Sequence, residues 1–502
     1  MYFLAGREAP KTQIVYSRPP KVNGGFLRNF YAGAIDRLVN SFSGVNQTVD
    51  ESLKVNLDKM RHRSRELLYD NDYGKKYIDM VKANIVGSKG IKLQAQSKGN
   101  DGNLDKIDND AIEAAWKDFC KMENCSVTGR SSMLDIQHIA AGTTATDGEI
   151  FVRIVTGAKY KYGMTLQLIE ADMLDTQHNV ENFGNTKNNI KMGIEHNEFN
   201  VVIAYHFLTR HPSTTSYDHR GRKYVRVPAD EIIHLFKPER VAQSRGIPWM
   251  HTSIRRLDMI GGYEEAELVA ARAGASKMGF YYTETGEEYQ GQDKEADGSL
   301  IQEAEAGTFE QLPNNIKFQE YDPQHPTGAY NYFLRGTLKG VAAGLGVAYT
   351  SLTGDLEAVN YSSIRAGLIE ERENWRVLQG WFSEHMMNRI YERWLSAALT
   401  RGLIINAGGV KLPLHKKEKY LNVTWQTRGW AWVDPFKDEQ ANTLAVSKGH
   451  MTNTEILAAR GLDIEDVYER LAYEKDLAEQ YGLKLDTTEV VTDNEEDETT
   501  KD

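Results

Sequence analysis

Cys120 and Cys125, in "CKMENC", are the two thiols of this chain. A metal held there would need further Cys or His ligands at close spacing, and none follow, so they read as unpaired thiols near a helix end. Lys277 follows Ser276 in "AGASKMG" (273–279), the nearest approach to a phosphate loop, but "GxxxxGK[ST]" is absent and the segment reads as helix. "AAGLGV" lacks the third glycine of a dinucleotide fingerprint and follows no strand. His196 stands between two glutamates in "GIEHNEFN", with no second histidine at helical spacing. "DKIDNDAIE" has the aspartates of a calcium loop without its glycine, and "GASKM" is not a nucleophile elbow. These residues specify no catalytic group, no metal site and no cofactor. Catalytic residues need not be adjacent in sequence, so an enzyme of unknown class within the α+β region 51–252 stays open as an alternative.

The elements around these residues say more. The chain has 502 residues, room for roughly three domains. No apolar run approaches the ~20 residues of a membrane helix, and "MYFLAGREAPKTQIVYSRPP" lacks the basic and apolar regions of a signal peptide. A soluble protein of a cytoplasm, or of an assembly made there, is expected. Few cysteines suit a reducing compartment. Net charge is −11, without the basic face that gripping nucleic acid requires, so DNA as a partner would be passed along rather than held.

Residues 1–50 read as an arm. Helical spacing of Leu53, Leu57 and Met60, and of Tyr77, Val81 and Ile85, predicts two helices broken at Asn71 and Asp72. A helix over 105–121 is expected through Ile107, Ile112, Trp116 and Phe119, and another over "SMLDIQHIAAGTTATDG". "GIKLQAQ", "EIFVRIVTG", "MTLQLIEAD", "MGIEHNEFNVVIAYHFL" and "KYVRVPADEIIHLFK" read as strands, with "EFN" a hairpin turn. Ile254, Leu257, Ile260, Leu268 and Val269 predict a helix over 253–279, in which Gly261, Gly262 and Gly274 would permit close packing. An acidic stretch with strand signals at "GTFEQL" and "IKFQEY" precedes a helix over about 328–347 through Tyr332, Leu338 and Val341. The polar, glycine-punctuated segment Tyr349–Ser362 then reads as a loop, long enough to suggest a function. A helix over 363–401 carries one stripe through Ile364, Leu368, Trp375, Leu378, Phe382, Met386, Ile390 and Trp394. Strands over 403–433 and two or three helices over 435–482 follow, with Thr454 or Thr452 as a cap and Gly461 as a stop; the acidic tail 486–502 reads as disordered.

Six stretches carry a resemblance: "RHRSRELLYDNDYGKKYIDMVKANIVGSKGIKLQAQ", "DGEIFVRI", "LQLIEADMLD", "GIEHNEFNVVIAYHF", "VPADEIIHLFKPERVAQSRGIPW" and "VAAGLGVAYTSLTGDLEAVNYSSIRAG". In this order, over roughly residues 60–400, the chain resembles the lambda-type portal proteins of tailed bacteriophages. The resemblance implies an α+β portal fold assembled as a ring, usually of twelve copies, at one capsid vertex. It implies an α+β wing (51–252), a first stem helix (253–280), a clip (281–326), a second stem helix (327–348), a tunnel loop (349–362), a long wing helix with strands (363–434) and crown helices (435–485). Another head–tail connector ring is the second alternative, disfavoured by length.

The resemblance further implies that double-stranded DNA passes through the channel independently of sequence. Thr353, Asn360 and Tyr361 would donate hydrogen bonds to phosphate oxygens, Gly354 would supply unusual backbone angles, and Asp355 and Glu357 would oppose tight binding. The clip acids Glu287, Glu288, Asp293 and Glu295 would dock partners. Those partners would be the large terminase subunit, the major capsid and scaffolding proteins and head–tail connector proteins, with no membrane. The location would be the virion vertex, and the host cytoplasm during assembly.

Overall fold

Thr48 starts the described chain's first helix by accepting a hydrogen bond from the Glu51 amide, the usual repair for an orphan N–H at a helix start. The computed structural model describes residues 47–99, 102–213, 223–275, 279–283, 316–320, 330–357, 360–430 and 435–482. The expected arm over 1–46, the strand at "GTFEQL" and the acidic tail lie outside these residues. Two compact units make up the chain, which passes between them five times, the last at Asp355 and Leu356.

Helices α1 (Val49–Asp70) and α2 (Asp72–Ile85) separate at Asn71, whose extended backbone ends one while its side chain accepts from Gly74 to start the other. Leu53, Leu57, Tyr77, Val81 and Ile85 are buried, as their spacing requires. Strand β1 (Lys92–Ala95) precedes α3 (Lys106–Phe119), the single turn α4 (Met122–Cys125) and α5 (Met133–Asp147). Ile112, Trp116 and Phe119 are buried, but Ile107 is exposed: five residues before Ile112, it sits about 140° round the helix. Cys120 and Cys125 are unpaired, and Cys125 is buried.

In the first unit, β2 (Glu149–Thr156) is flanked by β3 (Met164–Ile169) and β8 (Ile232–Phe236). A second sheet runs β4 (Asn189–Lys191), β5 (Ile194–His196), β6 (Val202–Leu208) and β7 (Tyr224–Pro228), all antiparallel. Asn200 takes φ 62° in the expected β5–β6 turn. Phe151, Leu174, Ile194, Tyr205, Phe207, Val227 and Ile232 form its core.

The same unit holds α6 (Ile254–Ala275), the antiparallel pair β9 (Gly279–Thr283) and β10 (Ile316–Glu320), and α7 (Tyr330–Leu345). Of the helix expected over 253–279, the described part ends at Ala275, and Gly279 already belongs to β9. Ile254, Leu257, Ile260, Leu338 and Val341 are buried, whereas Leu268, Val269 and Tyr332 are exposed. Gly261 and Gly262 meet nothing that a side chain would strike. On α7, a methyl at Gly340 would meet the movable end of Arg256, and one at Gly344 would meet the Ser253 and Thr252 hydroxyls just before α6.

In the second unit, α9 (Tyr361–Phe382) and α10 (Asn388–Arg401) join through a five-residue π-helical turn, Ser383–Met387. The stripe from Trp375 to Trp394 is buried; Ile364 and Leu368 are half-buried. Trp116 packs edge-on against Trp394 (5.0 Å between centroids) and Tyr391 (5.7 Å), geometry that adds to area burial. The strands expected over 403–433 reduce to a bridge at Ile405 and Lys411, a helical turn α11 (Lys417–Tyr420) and β11 (Val423–Gln426), which pairs with β1. Beyond Gln426, Arg428 is drawn off the ladder by donating to the Ala83 carbonyl (2.5 Å) and Asn84 Oδ1 (2.9 Å). Helices α12 (Pro435–Ser447), α13 (Asn453–Ala459) and α14 (Ile464–Gln480) close the chain. Thr452, not Thr454, caps α13 through a capping box with Glu455, and Gly461 takes φ 70° after it.

Candidate functional site

The segment expected as a 14-residue loop is half helix. After α7, Gly346 takes φ 69°, and a single turn, α8 (Tyr349–Thr353), follows with Leu352 buried beneath it. Gly354 ends it at φ 73°, its N–H donating to the Thr350 carbonyl (2.8 Å), so the unusual backbone expected there is a helix stop. Short-range hydrogen bonds favour the turn. The Thr353 hydroxyl donates to the Tyr349 carbonyl (2.8 Å) and accepts from the Asp355 amide (3.2 Å). Asp355 accepts from the Tyr349 hydroxyl (2.8 Å) and pairs with Arg335 of α7 (3.0 Å). Burial and then Asp355 push the Tyr349 phenol pKa up. The structure thus brings Thr353, Gly354 and Asp355 together, and pairing reduces the repulsion Asp355 offers a phosphate.

Glu357 is exposed in a turn. Asn360 is the N-cap of α9: its Oδ1 accepts from the Ser363 amide (2.8 Å) and hydroxyl (2.8 Å), so that oxygen is already used. Tyr361 is the first residue of α9. Glu287, Glu288, Asp293 and Glu295 lie outside the described residues.

The strongest electrostatics lie elsewhere in the first unit, around Glu149. Its fully buried carboxylate accepts from Arg61 Nη2 (2.5 Å), Arg245 Nε (2.7 Å), the Gly246 amide (2.7 Å) and His234 Nε2 (3.0 Å). Burial alone would raise its pKa; Arg245, Arg61 and His234 override that and hold it well below the carboxylate range. Burial lowers the His234 pKa, leaving the ring neutral. Gly148 and Gly246 let two backbone segments cross here, since a methyl on either would strike the other's neighbourhood. Arg245 also donates to the Leu174 (3.0 Å) and Met192 (2.8 Å) carbonyls. Sealed from solvent and saturated with donors, Glu149 cannot reach a substrate; it ties sheets and helix together. Sequence reasoning missed it, although Arg61, Gly148, Glu149, His234, Arg245 and Gly246 all fall in the resembling stretches. Among the described residues, no three His, Cys, Asp or Glu side chains are arranged to hold a metal, and no helix is long and apolar enough to cross a membrane.

Residues 36–379 match the family model of phage portal proteins, lambda family. The chain belongs to this family. The probable portal protein of Halomonas phage phiHAP-1 is 31% identical over 476 residues, covering 93% of this chain and 89% of the relative. Portal protein B of Escherichia phage lambda is 20% identical over 485 residues, covering 89% of each. A chain in the neck of an empty gene transfer agent particle is similar at a TM-score of 0.46 and 13% identity, covering 85% of this chain and 98% of its own. In this portal protein Met259, Leu268 and Val269 of α6 and Tyr332 and Phe333 of α7 leave large apolar surfaces exposed.

Proposed function

We propose that this portal protein assembles into a ring, twelve copies being usual in its family, at a single capsid vertex, and that double-stranded DNA passes through its axis during packaging and ejection. The exposed apolar side chains of α6 and α7 carry this reading: two packed helices that leave Leu268, Val269, Tyr332 and Phe333 in solvent offer the face that a neighbouring copy would cover. On this reading α6 and α7 are the stem, the segment between them is the clip that docks the large terminase subunit and later connector proteins, and α12–α14 belong to the crown. Capsid and scaffolding proteins would surround the ring. The role is structural, with the packaging force supplied by a partner, and assembly takes place in the host cytoplasm.

The 349–362 segment would reach the channel and retain packaged DNA. Its contacts are sequence-independent, and repeated acids keep any one position weak. Negative-stain images of the purified chain test the assembly: rings with a central hole are expected, and monomers under all conditions would refute it. Shortening Thr353–Val359 should leave rings intact and let packaged DNA leak; full retention would make the segment a plain connector.

A further inference from the structure

The second unit of this acidic chain contains an open cavity of about 660 Å³ whose charged wall is basic. Lys82 in the last turn of α2, Lys89 in the following loop, Lys92 at the start of β1, Arg428 after β11 and Arg460 after α13 line it, against one carboxylate, Asp79. Among the described residues, Lys82, Lys89 and Lys92 have no carboxylate within ion-pair distance. Arg428 spends its hydrogen bonds on a carbonyl and an amide, and burial followed by Arg372 lowers its pKa, the mark of a cation short of anions. Arg460 pairs with Glu439.

The wall is held by close backbone approaches. A methyl at Gly429 would overlap the Ala459 carbonyl and Arg460 backbone, and Gly461, at φ 70°, lies against the Thr427 carbonyl. Gly87, at φ 74°, lies against the stem of Arg428. Three glycines therefore set where the backbone carries Arg428 and Arg460, and hydrogen bonds to Ala83 and Asn84 place the Arg428 guanidinium. An adjoining cavity of about 420 Å³ shares Thr427 and Arg428 and adds Arg376, Trp425 and Trp430. Arg376 and Arg428 each stand 5.9 Å from the Trp430 ring.

We propose that this cavity binds phosphate groups of a nucleic-acid backbone without reading sequence, as a contact separate from the 349–362 segment. Cations on flexible stems, fixed guanidiniums and adjacent aromatic faces are the chemistry that holds a phosphodiester chain. The inference rests on the conduit reading only in taking duplex DNA as the polyanion at hand.

The test uses full-length protein and a fluorescent duplex of unrelated sequence, with rings checked by negative stain so that failure of assembly is seen separately. Lys82→Gln/Lys89→Gln/Lys92→Gln should bind on the order of tenfold more weakly at low salt, with a log–log salt slope shallower by about 2–3. Rings with a shortened 349–362 segment should keep binding that the lysine variant has lost. Unchanged affinity and slope in the triple variant would overturn the proposal. So would quenching of Trp430 by inorganic phosphate or a free nucleotide in protein that ignores the duplex, because the site would then take a small phosphate instead.

Discussion

The Glu149 cluster of the first unit and the basic cavity of the second use one device to opposite ends. In both, glycines let two backbone segments approach more closely than a Cβ allows: Gly148 with Gly246, and Gly429 with Gly461. In both, an arginine is carried beside the approach. Around Glu149 the guanidiniums of Arg61 and Arg245 share one carboxylate and are fully buried; a single Arg61 nitrogen, Nη1, lacks a partner. At Arg428 the approach brings no carboxylate, and the surrounding lysines stay open to solvent. Buried charge that is paired makes structure; accessible charge that is not paired waits for a ligand.

Of the substitutions that separate the two sites, loss of the Glu149 carboxylate should cost the fold most. Glu149→Ala leaves two buried guanidiniums uncompensated and should destabilise by about 3–5 kcal/mol in chemical denaturation. A loss near zero would mean that water reaches the cluster and that it is not sealed.

Acid should sharpen the contrast. Glu149 has a folded pKa depressed below its unfolded value, so its contribution is complete above about pH 4.5 and is lost as pH falls through the folded value. His234 is held neutral, so the unfolded chain gains a proton that the fold refuses as pH drops below about 6.5. Both effects weaken the first unit on acidification. Glu113 of the second unit, raised to about 7 by burial despite the Ala95 amide and with help from Asp463, has the reverse sign: the fold gains stability as pH falls from about 7 towards 4.5. Native-state hydrogen exchange followed with pH should show His234 weakening the first unit below about pH 6.5 while Glu113 strengthens the second, with the Glu149 loss appearing only below about pH 4.5, and Glu113→Gln should flatten the second unit's response.

Smaller again is Thr452→Ala. It removes the α13 cap that steadies the Arg460 wall and should cost about 1 kcal/mol, read as faster exchange of Asn453–Ala459 amides. The Lys82, Lys89 and Lys92 substitutions should each change stability by under about 0.5 kcal/mol. A larger effect would make the cavity a structural feature, like the Glu149 cluster, and erase the distinction.

Helices with one strong apolar face were legible in the sequence. Leu53 and Leu57, Tyr77 with Val81, and Trp375 through Phe382 sit where 3.6-residue spacing puts them, while the apolar repeat on to Trp394 was legible although the π-turn that keeps it in phase was not. The "EFN" turn and the Gly461 stop were legible because local backbone chemistry sets them. Ile107 and Tyr332 were misjudged because an apolar side chain off the stripe is apolar all the same. The strands over 403–433 failed because Arg428 and Gly429 serve partners far along the chain, which no local window contains. In the candidate segment, Asp355 was readable as a charge, but its partner Arg335 lies 20 residues back. The Glu149 cluster was hidden for the same reason: its members are spread from Arg61 to Gly246.

The π-helical turn at Ser383–Met387 acts as a phase correction. An α-helix advances about 100° per residue, so buried residues repeated every fourth position slip about 40° at each step. Phe382, Met386, Ile390, Trp394 and Ala398 repeat that way, and an unbroken α-helix would have carried the stripe nearly to the opposite side by its end. A turn with one residue more than an α-turn returns about 100° of that slip. The Trp116–Trp394 contact is thus timed by a backbone irregularity seven to eleven residues before Trp394, and a one-residue deletion there would leave both tryptophans unchanged in type and facing different neighbours.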